Sequence, residues 1–403
     1  MTDLLLTGIG QLVTNDPDRE GLLGVVDDAA VAIKDGRVAW VGPADGLLRE
    51  FRQLPEIDCD GRAIIPGFVD SHTHLVFGGN RADEFARRLR GESYEDIMAA
   101  GGGIQSTVTA TRNTSTSSLV TDAVRRARRM LGTGTTTVEV KSGYGLDLET
   151  ELRMLEVAAA IPDLVPIDVV ATFLGAHVVP SDYRDDREAY VQEVIEEMLP
   201  AAAGHADFCD VFCDNGAFSV DEARRILAAA SRHGMESRLH ANQMAHSGGA
   251  ALAAEIGAVT ADHLDHITDS DVAGLQAAGT VAVLFPTVSL SLQLAPPPAR
   301  RLWDGGVPVA IATDCNPGTS YVENMQLVVA AATLTSALTP EESLWAATRG
   351  GARALRKDDR GWIVPGAAAD LVMLEANGYV EIPYRPGTDL VRMVIKGGDA
   401  VVS

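Results

Sequence analysis

Lysine, cysteine and aromatic residues are all scarce in this chain. Four lysines (Lys34, Lys141, Lys357 and Lys396) occur in 403 residues, and Lys and Arg together number 33 against 56 Asp and Glu, a formal net charge of −23. A surface of that sign repels phosphate backbones and anionic lipid headgroups, which excludes nucleic acid and membrane as partners. Salt adaptation and a genome bias toward arginine both explain the acidity, and the sequence does not decide between them. Four cysteines (Cys59, Cys209, Cys213 and Cys315) are too few for a disulfide framework in a chain of this length. Cys209 and Cys213 also lack the second pair that a zinc knot requires, so buried thiols are expected. No apolar run is long enough to cross a bilayer, and Met1–Leu6 lacks the basic start and apolar core of a signal peptide. The expectation is a cytoplasmic protein.

What is present is a large core: 46% of the residues are hydrophobic, enough for one barrel-sized domain and a small one. Residues 1–65 show short strands with turn punctuation, among them Val31–Ile33 and Val38–Val41 around Asp35-Gly36, a dipeptide suited to the positive φ angles of a tight hairpin. Residues 66–355 alternate apolar strands with Ala-, Arg- and Glu-rich helices. The predicted strands are Ala63–Ser71, Thr135–Val140, Asp168–Phe173, Phe208–Phe212, Glu236–Leu239, Ala258–His263, Val281–Phe285 and Val307–Thr313. Helices are predicted over Ser118–Leu131, Glu149–Ala160, Asp186–Ala203, Asp221–His233, Gly248–Glu255 and Asp269–Ala277. Eight such units fit an α/β fold, a (β/α)8 barrel. Residues 356–403 return to short strands (Gly361–Gly366, Ala369–Leu374, Val391–Ile395) that bury little alone, so both termini are expected to build one composite β-sandwich domain.

The barrel architecture places chemistry just after the strand C-termini. His72 and His74 end the first predicted strand one residue apart, so both project to one side while Thr73 points away. His240 closes another apolar segment and Asp314 a third. Three imidazoles and one carboxylate make a divalent-metal site with room for water. The Gly101-Gly102-Gly103 run lacks the Lys-Ser/Thr of a phosphate loop, and is expected as a mobile loop near the site entrance.

These features resemble the amidohydrolase superfamily. The motifs are Pro66-Gly67-Phe68-Val69-Asp70-Ser71-His72-Thr73-His74 with Gly79 and Arg81, the Tyr94 segment, Lys141-Ser142-Gly143-Tyr144-Gly145-Leu146, Phe173–His177 and Asp314–Ser320. Within that superfamily the chain is similar to the branch that hydrolyses the cyclic amide of 4-imidazolone-5-propanoate to N-formimino-L-glutamate in histidine degradation. The resemblance covers essentially the whole chain and implies a homodimer with one divalent ion per subunit, Zn2+ or Fe2+.

It also implies roles. His263 should sit beside the attacking water, and Asp314 should shuttle a proton to the ring nitrogen. The propanoate needs a cation, and Arg81 can bind it bidentately; the alternative is a surface arginine paired with Asp83 or Glu84. Tyr94, Tyr144, His177, Asn316, Gly318 and Thr319 match positions that contact substrate. Gln243 stands where many related deaminases carry an acidic proton shuttle, which suits hydrogen bonding to the ring rather than deamination. Two-metal relatives bridge their ions with a lysine ending the fourth strand; here Phe212-Cys213-Asp214 stands there and Lys141 ends the second strand, which implies one metal. The alternatives are a purine or pyrimidine deaminase of the same fold and a non-catalytic, dihydropyrimidinase-like scaffold.

Overall fold

A computed structural model describes residues 3–92, 96 and 101–402. Two sheets organise them. The first gathers both ends of the chain: β1 (Leu4–Leu12), β2 (Val26–Lys34), β3 (Arg37–Pro43), β4 (Glu56–Asp58) and β5 (Ala63–Pro66). The second contains β6 (Phe68–Asp70), β7 (Thr135–Lys141), β8 (Asp168–Ala176), β9 (Phe208–Cys213), β10 (Glu236–Ala241), β11 (Thr260–His263), β12 (Val281–Leu284) and β13 (Val309–Ile311). Then β14 (Leu371–Leu374), β15 (Val391–Lys396) and β16 (Asp399–Val402) return to the first sheet, where β14 pairs with β5.

The β2–β3 hairpin turns on Asp35 (φ 49°) and Gly36 (φ 73°), with Lys34 opposite Arg37, as the Asp-Gly signal predicts. The terminal strands enclose one apolar core, in which Leu6, Ile9, Val31 and Ile33 from the start of the chain meet Leu371, Met373 and Ile395 from its end. The opposite face of β5 and β14, through Ile65 and Val372, packs into the barrel's own core. Gly361–Gly366, expected as a strand, is a loop instead. Its Ile363 amide donates to the Thr14 carbonyl, a contact made outside any sheet ladder.

The eight strands β6 to β13 are parallel neighbours in chain order, the barrel expected from the sequence. The expected first strand, Ala63–Ser71, is divided between the two sheets. Pro66 ends β5, the Gly67 amide donates to the Asp370 carbonyl, and Phe68 begins β6. A side chain at Gly67 would overlap Thr136, so glycine lets the chain cross from one sheet to the other at this point. The predicted helix Asp186–Ala203 is interrupted by a π-turn at Val194–Met198, just before Pro200, a residue with no amide to donate.

Closure of the barrel happens beyond the regular strands. Asp70 accepts from the Thr313 amide (3.0 Å) and hydroxyl (2.6 Å). The Asp314 amide donates to the His72 carbonyl and the His74 amide to the Cys315 carbonyl, at 3.1 and 3.0 Å. The first and last strand ends are thus stitched together at the residues singled out for metal binding. Among the described residues no helix is long and apolar enough to cross a membrane.

Candidate metal centre and active site

His72 and His74 follow β6 in an extended segment that bridges to Cys315. Extended geometry turns Thr73 the other way, where its hydroxyl donates to the Glu139 carbonyl at 2.6 Å. His240 lies one residue from the end of β10. The three histidines are buried and offer ligand atoms within 4.8 Å of one another. Asp314 Oδ1 lies 3.6 Å from both His72 Nε2 and His74 Nε2. Asp314 adopts φ 48° and His263 φ 76°, left-handed conformations held by the surrounding packing. The His263 ring centroid is 5.2 Å from that of His240 and 5.9 Å from that of His72.

This donor set fits a divalent cation. His72 Nε2 is buried and has no hydrogen-bond partner among the described residues, while its Nδ1 sits 2.6 Å from Asp262 Oδ2. A carboxylate can only accept there, so Nδ1 carries the proton and Nε2 presents a lone pair. Burial, and then the charge of Lys141, drives the His72 imidazole well below its ordinary pKa. Burial likewise keeps His74 and His263 neutral. His240 Nδ1 stands 2.9 Å from Asp210 Oδ2. Burial raises the Asp210 carboxyl, but its interactions with His240 and Lys141 outweigh that effect and hold it well below the usual carboxylate range. Burial pushes Asp314 up to about 7 in the protein alone; a cation beside it would draw that value down.

Above the histidines opens a cavity of about 430 Å³, a size suited to a small ligand. Of the residues expected at the site, His74, Arg81, Tyr144, His177, His240, Gln243, His263, Asp314, Asn316, Gly318 and Thr319 line it, and His72 lies deeper. Tyr94 lies outside the described residues. His177 stacks on His74, with centroids 5.1 Å apart and planes at 17°. Its Nδ1 is 2.9 Å from the Gly143 carbonyl and therefore donates, which leaves Nε2 as an acceptor. Burial drives the His177 pKa down to about 3. The loop that carries Tyr144 is tied down by Glu151, which accepts from the amides of Gly143, Gly145 and Leu146 at 2.9, 2.8 and 2.8 Å.

Asn316 has a different position from that of a free contact residue. Its carbonyl oxygen accepts from the Gly318 and Thr319 amides and its amide donates to the Asp314 carbonyl and the Thr319 hydroxyl, all at 2.7–2.8 Å. Asn316 therefore shapes the loop beside Asp314. A side chain at Gly318 would collide with the Arg81 guanidinium, so glycine admits that cation to the wall. Arg81 also donates to Glu84 at 2.8 Å, the pairing weighed against a binding role, and Glu84 further accepts from Ser106 and Gly103.

Several residues escape sequence reasoning. Arg88 lines the same cavity and donates only to the carbonyls of Gly318 (3.4 Å) and Ser291 (3.3 Å) among the described residues. Its signal was its spacing of seven from Arg81 along the helix Ala82–Leu89. Asp210 and Asp262, which hold His240 and His72, were marked only by being charges inside apolar strands. The partners of Lys141 lie on its own strand and on another: its Nζ stands 2.6 Å from Glu139, two residues before it on β7, and 2.8 Å from Asp210 on β9.

Comparison with known proteins agrees with this geometry. Residues 63–401 match the family model described as the amidohydrolase family. The chain is 48% identical over 402 residues to an imidazolonepropionase of Mycolicibacterium smegmatis, covering 100% of this chain and 98% of the relative. It is 48% identical over 401 residues to an imidazolonepropionase of Salinispora arenicola, covering 99% and 98%. Among solved structures, an adenosine deaminase from Xanthomonas campestris with bound zinc shares the fold at TM-score 0.69 and 21% identity, over 100% of this chain and 93% of that one.

Proposed function

The chain belongs to the amidohydrolase family, and we infer that it hydrolyses the cyclic amide bond of 4-imidazolone-5-propanoate to N-formimino-L-glutamate, a step of histidine degradation. The observation that carries this reading is the meeting, in one cavity, of a buried three-histidine group with two guanidiniums on the wall. One end suits a ring carbonyl and the other an anion.

A single divalent ion, zinc or ferrous iron, held by His72, His74, His240 and Asp314 would polarise the ring carbonyl and lower the pKa of a water toward neutrality. Neutral His263 accepts a hydrogen bond from the attacking water and holds it against the carbonyl carbon. Asp314 takes the proton released as the C–O bond forms and delivers it to the ring nitrogen as the C–N bond breaks. Water is thereby divided between the new carboxylate and the amidine nitrogen. Arg81 and Arg88 bind the propanoate; Arg88 suits this because the Arg81 charge is already shared with Glu84. His177 Nε2, the Tyr144 hydroxyl and the Gln243 amide hydrogen-bond the ring, while Gly318 and Thr319 close the wall beside it. Gln243 cannot pass protons as a carboxylate does, which favours ring opening over deamination. We propose a homodimer in the cytoplasm; light scattering after size exclusion would return one chain mass if the dimer is wrong.

Product analysis tests the reaction. Freshly generated 4-imidazolone-5-propanoate should yield formiminoglutamate without free ammonia. Ammonia release would move the assignment to a ring deaminase, and an unchanged substrate with metal-loaded protein would remove it.

A further inference from the structure

Directly beneath the histidine group lies a layer of five charged side chains, all with no solvent exposure: Glu139 and Lys141 on β7, Asp210 on β9, Arg238 on β10 and Asp262 on β11. Within this layer Asp210, His240 and Asp262 each offer a ligand atom within 4.8 Å of the others, a second three-donor group that shares His240 with the first. It is already filled. Lys141 Nζ stands 2.8 Å from Asp210 Oδ2 and 3.9 Å from Asp262 Oδ2, and a third carboxylate, Glu139 Oε1, lies 2.6 Å away.

We propose that the Lys141 ammonium is the resident cation of a second, internal cation position, and that it confines this protein to one exchangeable ion while fixing the carboxylates that orient His72 and His240. Three features of the layer lead there. Two of the three carboxylates around the ammonium also touch a histidine of the upper group, Asp210 at His240 Nδ1 (2.9 Å) and Asp262 at His72 Nδ1 (2.6 Å). A tethered cation keeps those carboxylates paired whether or not the upper site is loaded, and no chelator removes it. Arg238 cannot take its place. Its guanidinium is spent on the Ala354 and Ser71 carbonyls at 2.9 and 2.8 Å, and it reaches Asp262 and Glu139 only at 3.4 Å. Without Lys141 three buried carboxylates would face one guanidinium, a charge excess that a divalent ion corrects and a neutral side chain does not.

Lys141 is thus a positioning residue, and its removal should create a metal site. Metal content after equilibrium dialysis against zinc, alone and with a competing chelator, separates the possibilities. The wild-type protein should retain one zinc per chain and Lys141→Ala two, with the second equivalent raising the melting temperature of the variant but not of the wild type. If Lys141→Ala does not fold, Glu139→Gln/Lys141→Ala, which removes one of the excess carboxylates, decides. One zinc per chain in the variant that folds, with no thermal response to a second equivalent, overturns the proposal, as does a wild-type protein that holds two. A wild-type protein that retains none contradicts the upper metal centre as well, so the two readings fail distinguishably.

Discussion

The rim of the cavity and the layer beneath it use the same charged residue types for opposite ends. At the rim, Arg81, Glu84 and Arg88 are partly exposed, Arg81 donates to Glu84, and Arg88 donates only to backbone carbonyls and lacks a carboxylate partner among the described residues. In the layer below, Glu139, Lys141, Asp210, Arg238 and Asp262 are closed from solvent, and each faces a partner of opposite charge or a histidine. Unsatisfied charge at the rim would serve the proposed recognition of an anion, because a ligand can complete it. Satisfied charge in the interior suits the proposed orienting of His72 and His240, because the partners are held in place from every side. In water-exposed positions an ion pair contributes little, whereas a buried one that loses a partner leaves a costly orphan charge.

Breaking the upper group itself should have the largest effect. His74→Ala removes a donor whose ring leans on no carboxylate support, so the fold should survive while bound metal is lost and turnover falls by roughly 10³-fold or more, the scale of losing a preorganised charge-stabilising group. Metal analysis and circular dichroism on one sample check both halves. Asp262→Asn tests the layer below: with the His72 orienting charge gone, zinc affinity should drop by about 10–100-fold with KM little changed. A zinc affinity equal to that of the wild type would deny the layer its orienting role.

The rim should respond in the reverse sense. Arg88→Met removes hydrogen bonds to a charged group worth about 1.5–3 kcal/mol, so KM for the anionic substrate should rise roughly 10- to 100-fold while metal content stays at one. A fall in kcat at constant KM would place Arg88 in the chemistry instead. The smallest effect is expected far from both regions, where Lys396 joins Asp168 and Asp370 at 2.5 and 2.6 Å between the terminal sheet and the barrel. Although burial raises the Asp168 carboxyl, Lys396 and Arg360 hold it below its ordinary pKa. A depressed carboxyl contributes stability above its unfolded value, about pH 3.9, and that contribution disappears as pH falls through the folded value. Lys396→Met should therefore narrow the acid side of the stability profile and leave KM and metal content untouched.

What sequence made legible follows from which contacts are local. His72 and His74 share a strand side because alternation is a property of consecutive residues, and the Asp35-Gly36 turn needs only its own φ angles. The positions of His240 and Asp314 followed from strand ends once a barrel was recognised. The division of Ala63–Ser71 at Gly67 was hidden because one apolar run serves two sheets, and only Thr136, far along the chain, shows why glycine stands there. Lys141, Asp210 and Asp262 are brought together from three strands, a proximity that spacing along the chain cannot reveal. Arg88 was overlooked because an arginine-rich helix face reads as solvent-exposed until the cavity is seen beside it.

The most direct measurement is a zinc titration of chelator-stripped protein, with the disappearance of 4-imidazolone-5-propanoate followed in the ultraviolet. Activity should rise linearly from near zero and stop at one ion per chain. Activity that is full before zinc is added, or that keeps rising to two ions per chain, would contradict a mononuclear hydrolase built on His72, His74, His240 and Asp314.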